Sequence, residues 1–131
     1  MLTLEDTITA AHGDSEADLL LKNAQLVNVT AGTIHDADIA IKDGRVIGFG
    51  AYAAKKTVDL KRRFVVPGLI DAHVHLESSM VIPPEFARAV LPHGTTTVVT
   101  DPHEIANVHG LDGIRFMLDA SADLPLRVQV M

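Results

Sequence analysis

Residues 64–75, FVVPGLIDAHVH, give the strongest indication of the fold in this sequence. The run from Phe64 to Ile70 is almost entirely apolar, interrupted by a Pro-Gly pair, and is typical of a strand buried on both faces in a parallel sheet. His73 and His75 follow it directly, and residues two apart on a strand point to the same side. A bare His-x-His tripeptide also fits two surface histidines. Its place after a buried strand favours a metal site at the strand's carboxyl end.

The residues after this stretch alternate between helix and strand patterns. The predicted elements are a helix opened by Pro83-Pro84, a strand at Thr95 to Thr100, a helix at Leu111 to Ala122 and a strand at Leu126 to Val130. This order predicts a parallel sheet with right-handed crossovers, hence an α/β fold. A complete (β/α)8 barrel needs about 250 residues. Residues 64–131 are therefore expected to form the first two βα units and the third strand of a TIM-like barrel, which would be incomplete.

The residues before this stretch show a different pattern of apolar, polar and turn-forming residues. Residues 1–17 predict an N-terminal arm, either a weak helix or loose chain. Residues 18–63 predict a small antiparallel β unit made of hairpins, with a two-residue turn at Asp43-Gly44 and a return strand from Arg45 to Phe49.

A second group of chemically active residues comes after the strand that ends at Thr100. Asp101, His103 and Glu104 come directly after it, so a parallel sheet places them at the same edge as the histidine pair. These residue types serve as metal ligands or proton carriers. The alternative is that Asp101 and Glu104 cap a helix, because Asp-x-x-Glu resembles a capping box. Glu77, just after the histidine pair, is a further candidate at this edge.

Other polar residues in the region have structural interpretations. Ser78 and Ser79 fit helix capping ahead of Pro83. His93 falls in a helix-to-strand connection at the opposite edge of the sheet, and His109 lies at a helix boundary. Asp71 fits an orienting partner for a ligand histidine or a solvent-facing hydrogen bond.

Composition excludes several classes of function. The net charge is −6 and no large basic cluster is present, which argues against nucleic acid and against an anionic membrane surface as partners. The sequence has no cysteine, which excludes disulfides and thiolate metal sites. It contains no apolar run of membrane-spanning length and no signal-peptide pattern at its start. We therefore expect a cytoplasmic protein.

The segment VPGLIDAHVH, residues 66–75, resembles the opening metal motif of the amidohydrolase superfamily. The preceding β unit resembles the small β-sandwich domain that these enzymes build. Three further segments narrow the resemblance to the adenine deaminase family: ESSM at residues 77–80, LPHGTTT at residues 91–97 and DPHEIANV at residues 101–108. Together the similar region runs from about residue 17 to residue 131.

The resemblance implies a reaction, in which adenine and water give hypoxanthine and ammonia in purine salvage. It implies a divalent metal pair, iron or manganese with zinc as an alternative, that activates water, and a carboxylate that transfers protons. His73 and His75 would be metal ligands, and the catalytic candidates would be Asp101, His103, Glu104 and Glu77. A homo-oligomer is implied for the complete enzyme. Because the family takes further ligands from later strands, we expect the 131 residues alone to be a fragment without deaminase activity.

The sequence leaves three alternatives open. One is another amidohydrolase acting on a cyclic amide, such as a dihydroorotase or hydantoinase. Another is a non-catalytic metal-binding or interaction module. The last is an unrelated α/β domain in which the histidines have no function. This alternative requires that the three segments quoted above occur by chance in the order found in the family.

Overall fold

The computed structural model describes residues 3–131 and divides between Pro67 and Gly68 into two compact units. Met1 and Leu2, which belong to the predicted arm, lie outside the described residues. The helices are α1 (Leu4–His12), α2 (Pro83–Val90) and α3 (His103–Ser121). The strands are β1 (Ala17–Asn28), β2 (Thr33–Lys42), β3 (Arg45–Phe49), β4 (Ala54–Asp59), β5 (Phe64–Val65), β6 (Leu69–Val74), β7 (Thr95–Thr100) and β8 (Arg127–Val130). None of the helices in residues 3–131 is long and apolar enough to cross a membrane.

Helix α1 forms where the sequence allowed either a weak helix or loose chain. Thr3 caps it, since its hydroxyl accepts from the Asp6 backbone N–H and the Asp6 carboxylate accepts from the Thr3 backbone N–H. This reciprocal pair satisfies two amides that otherwise have no partner in the helix. Gly13 ends the helix at a φ of 85°, a left-handed conformation that glycine adopts at little cost.

The first unit is built on one five-stranded sheet in the order β3-β2-β1-β4, with β5 also paired to β1. The predicted hairpin is confirmed: β2 and β3 pair antiparallel, and Asp43 and Gly44 at the turn have φ values of 48° and 72°. Ala17, Leu20 and Ala40 form the buried centre of this unit.

The prediction that this unit is antiparallel throughout is wrong. Both β4 and β5 pair with β1 in the parallel direction. The physical reason is the connection after β3, which carries the chain to the opposite edge of the sheet in residues 50–53 instead of folding back as a hairpin. The described residues of this unit form a single mixed sheet, whereas a sandwich needs two.

The turn at Gly44 provides a test of this sheet. We expect Gly44→Val to lower the free energy of unfolding by about 1–2 kcal/mol, because a β-branched side chain is strained at positive φ. Gly44→Asn should cost less, because asparagine tolerates the left-handed region. Equilibrium urea unfolding measures both, and equal losses in the two variants would show that the turn conformation does not limit stability.

The second unit has three parallel strands in the order β6-β7-β8, connected through α2 and α3. This confirms the predicted alternation and strand direction. Its core consists of Leu76, Ala87, Val98, Met117 and Leu126. Two of these residues lie on helices α2 and α3, one lies on β7, and the other two lie just after β6 and just before β8. The parallel register aligns Val74 at the end of β6 with Thr100 at the end of β7. The residues that come directly after Val74 and Thr100 are therefore brought to one edge of the sheet.

One expectation for this unit needs correction, and one helical segment was not predicted. The apolar run from Phe64 to Ile70 is not one strand buried on both faces: β5 belongs to the first sheet, and β6 begins at Leu69, where Leu69 and Ile70 are 56% and 66% exposed. The physical reason is Pro67, which lacks an N–H and ends the first pairing. The helix predicted from Leu111 is present, but a shorter helical segment that begins at His103 precedes it, and Gly110, with a φ of 60°, separates the two segments within α3.

Candidate metal centre

The candidate site residues lie at the carboxyl ends of the parallel strands β6 and β7. His73 is the penultimate residue of β6 and His75 is the residue after that strand, while Asp101 comes directly after β7 and His103 opens α3. The Nε2 atoms of His73 and His75 are 3.2 Å apart, and their rings meet edge to face. The structure thus brings the two histidines together on one side, as the two-residue spacing predicts.

His75 is held by the strand beside it. Its Nδ1 lies 2.8 Å from the carbonyl oxygen of Asp101. A carbonyl oxygen only accepts hydrogen bonds, so Nδ1 carries the proton and Nε2 of the neutral ring keeps its lone pair. This is the tautomer that a metal ligand at Nε2 requires, and the hydrogen bond fixes the plane of the ring.

His103 is held by the same residue through a different group. Its Nδ1 lies 2.8 Å from Oδ2 of Asp101. This hydrogen bond is the main reason that the pKa of Asp101 is lowered and the pKa of His103 is raised from their ordinary values. The His103 ring also lies against that of His75, with ring centroids 4.8 Å apart.

Glu104 completes a compact group with these two histidines. His75, His103 and Glu104 each offer one ligand atom, and the three atoms lie within 4.8 Å of one another. The Glu104 carboxylate also accepts a hydrogen bond from the Ser78 hydroxyl. The structure thus brings His75, His103 and Glu104 together and adds Ser78 as a partner of Glu104. His73 contacts His75 but does not belong to this group of three.

The capping interpretation of Asp101 and Glu104 is wrong. The N-cap of α3 is Pro102, and no side chain from these positions bonds back to the first turn as a capping box requires. The cap comes instead from Glu77, whose Oε1 accepts from the backbone N–H groups of Glu104 at 3.1 Å and Ile105 at 3.4 Å. No local sequence spacing signals this contact, because it joins residues 27 positions apart.

The other residues considered from the sequence, apart from Ser78, either lie away from the histidine pair or form hydrogen bonds to backbone groups only. His93 lies before β7, at the opposite end of the sheet, and His109 lies on α3 beside the break at Gly110. Oδ1 of Asp71 accepts from the His73 backbone N–H at 3.2 Å. The serines do not cap α2, whose N-cap is Ile82 without a side-chain cap.

Replacing Glu77 separates its two candidate roles. We expect Glu77→Ala to lower the free energy of unfolding by about 1 kcal/mol, because two amides at the start of α3 lose their acceptor. Glu77→Gln keeps an oxygen acceptor and should retain most of the stability and activity. Urea unfolding and turnover measured on both variants check this. If Gln keeps the stability but abolishes turnover as completely as Ala does, Glu77 carries a proton in addition to capping α3.

The sequence is similar to those of known proteins over nearly its whole length. The model of the amidohydrolase family matches residues 64–131. The chain is 54% identical over 129 residues to an adenine deaminase of Geobacillus kaustophilus, covering 98% of this chain and 22% of that protein. It is 50% identical over 131 residues to an adenine deaminase of Clostridium acetobutylicum, covering 100% of this chain and 23% of that protein. The chain thus spans about a fifth of the length of these curated relatives.

Two solved structures are similar as well. An N-acyl-D-glutamate deacylase from Bordetella bronchiseptica, complexed with zinc and a phosphonate inhibitor, matches with a TM-score of 0.56 and 29% identity over 66% of this chain and 19% of that chain. A D-aminoacylase variant in complex with copper chloride matches with a TM-score of 0.68 and 21% identity over 88% of this chain and 29% of that chain. The second likeness concerns the fold alone. Because the family model covers more than half of the sequence and includes every candidate ligand, the chain belongs to the amidohydrolase family.

Proposed function

We propose that this chain supplies the first metal-binding segment of an adenine deaminase, a metal-dependent hydrolase that converts adenine and water to hypoxanthine and ammonia in purine salvage. The observation that supports the proposal is that three histidines and three carboxylates lie at one edge of the second sheet: His73, His75, His103, Glu77, Asp101 and Glu104. The chain is also 54% identical to a protein named adenine deaminase. The metal pair would be manganese or iron, with zinc as an alternative, and the zinc complex of a structural neighbour supports a divalent ion.

The residues present fit such a metal. Imidazole suits zinc, iron and other divalent transition metals. His73 and His75 present Nε2 atoms 3.2 Å apart, and the Asp101 carbonyl holds the tautomer of His75 that leaves Nε2 free. These two histidines would hold the metal. When bound, it would lower the pKa of water towards about 7 and so supply hydroxide at neutral pH.

The chain's own residues then orient and surround the reacting groups. Asp101 holds both His75 and His103, and Glu77 fixes the start of α3 from which His103 and Glu104 project. Asp101, His103, Glu104 and Glu77 are the groups of this chain available to bind metal or to carry a proton to a purine nitrogen and to the leaving ammonia.

The proposal includes the architecture around the site. In it, residues 64–131 are the start of a (β/α)8 barrel, residues 18–63 are part of a composite sandwich domain and residues 1–17 are an arm. A homo-oligomeric assembly, a cytoplasmic location and the absence of nucleic-acid or membrane partners belong to the same proposal. The parallel order of β6, β7 and β8 supports the barrel.

The test is an assay of the polypeptide encoded by the complete gene, loaded with Mn²⁺. We expect adenine to be converted to hypoxanthine with release of one ammonia, and chelation to abolish the reaction. We expect the 131 residues alone, loaded in the same way, to be inactive. Ring opening of dihydroorotate or a hydantoin without ammonia from adenine would favour the cyclic-amide alternative. Tight metal binding with no turnover of any of these compounds would favour a non-catalytic metal-binding module.

A further inference from the structure

We propose that Gly113 is a positioning residue that determines where His103 and Glu104 lie. The inference rests on the proposed function, because it takes these two side chains to act in the reaction. Gly113 is buried on α3, one helical turn before Met117, which packs in the core of the second unit. Its backbone angles are helical, so its conformation does not require a glycine.

The reason for a glycine at position 113 is the lack of space around its Cα. A Cβ at this position would lie 2.8 Å from Cγ1 of Ile105 and 2.9 Å from the Ile105 carbonyl oxygen. Non-bonded carbon atoms pack at about 3.5–4.0 Å, so even an alanine would force a movement of roughly 0.5 Å or more. Rotation of the Ile105 side chain would not relieve this overlap, because the carbonyl oxygen belongs to the backbone.

The part of the chain that lies against Gly113 is the short helical segment 103–109. Gly110, with a φ of 60° and a ψ of −148°, separates this segment from the rest of α3. Because the backbone is not helical at Gly110, the contacts between the two segments set the direction of the shorter one. Ile105 makes such a contact, since it lies against Gly113 and also packs on the hydrophobic core.

Ile105 is linked directly to the site residues. It follows Glu104 in the chain, and the backbone N–H groups of both residues donate to Oε1 of Glu77, at 3.4 Å and 3.1 Å. Displacement of Ile105 from Gly113 therefore moves Glu104 and changes both hydrogen bonds. His103 begins the same segment and moves with it. Functional groups must be held within about 0.5 Å of their productive geometry, which is the size of the movement expected from one added methyl group.

The experiment compares Gly113→Ala with the unsubstituted polypeptide encoded by the complete gene, both loaded with Mn²⁺. We expect kcat for adenine to fall by about 10–100-fold at a temperature at which both proteins are fully folded. Hydrogen exchange measured by mass spectrometry should become faster in residues 103–107 and stay unchanged in residues 114–121. This readout separates positioning from a general loss of stability, which would speed exchange throughout the second unit.

Gly48→Ala is the matched control. Gly48 lies on β3 in the first unit and is also crowded, because a Cβ there would overlap the Tyr52 ring. We expect this variant to unfold at a lower urea concentration while kcat and the exchange of residues 103–107 stay unchanged. A fall in kcat as large as that of Gly113→Ala would overturn the proposal, since loss of stability would then explain both variants.

An unchanged kcat or unchanged exchange of residues 103–107 in Gly113→Ala would also overturn the proposal. If Gly113→Ala fails to fold by circular dichroism, Ile105→Ala decides, because it removes the side chain that lies against Gly113. It should show the same faster exchange and a lower kcat, and the opposite result would overturn the proposal. If the unsubstituted protein does not deaminate adenine, the proposed function fails, whereas faster exchange in Gly113→Ala still supports the positioning of this segment by Gly113.

Discussion

Replacing His75 with asparagine is expected to lower metal-dependent turnover of adenine by more than about 100-fold, because loss of a ligand costs more than the roughly 10–100-fold caused by loss of an outer partner. The asparagine amide can still donate to the Asp101 carbonyl, as Nδ1 of His75 does, so the variant removes mainly the ligand nitrogen. Initial rates with Mn²⁺ and the metal content of the purified protein measure the effect.

The control for this variant is His93→Asn. His93 lies in the turn before β7, at the other end of the strand from Asp101, so its replacement should leave turnover and metal content unchanged. A His75→Asn protein that retains full metal content and full turnover would contradict the assignment of His75 as a metal ligand. Loss of activity in both variants would show that the substitutions disturb folding, so that the lost activity could not be attributed to a missing metal ligand.

Replacing Leu76 with alanine is expected to cause the largest loss of stability, about 2–5 kcal/mol. Leu76 is 1% exposed and packs in the core of the second unit with Val98, Met117 and Leu126. Removing its side chain leaves a cavity among elements that cannot all close onto it. Equilibrium urea unfolding should show a lower midpoint with an unchanged slope.

Met80→Ala is the matched control, because Met80 is 93% exposed and its replacement should change the free energy of unfolding by less than about 0.5 kcal/mol. Leu76 lies between His75 and Glu77, so its replacement should also weaken metal binding through movement of both neighbours. A Leu76→Ala protein as stable as the Met80→Ala protein would show that this core does not hold the second unit together.

Much of the second unit could be predicted from the sequence because its signals are local. The β-branched run Thr95 to Thr100 matches β7, and Pro83 opens α2 as its fixed φ favours. The Asp43-Gly44 pair specified its hairpin, because few residues tolerate positive φ at both positions. The edge shared by His75 and Asp101 could be inferred from strand direction, since parallel strands end at the same side.

Other features depended on contacts between distant residues. The sequence could not show that β4 and β5 both pair with β1 in the parallel direction, because the residues of a strand do not specify which distant strand it pairs with. Nor could it show where the Phe64–Ile70 run divides its pairing between two sheets.

The residue types at the ends of β6 and β7 can be read from the sequence, and the predicted parallel direction of these strands implies that histidines and carboxylates meet at one edge. The way in which these groups are held depends on contacts that the fold creates. Asp101 orients both His75 and His103, and Glu77 caps α3 from 27 residues away. The physical reason is that residue spacing fixes the face on which a side chain lies, whereas its hydrogen-bond partner is set by which elements pack beside it.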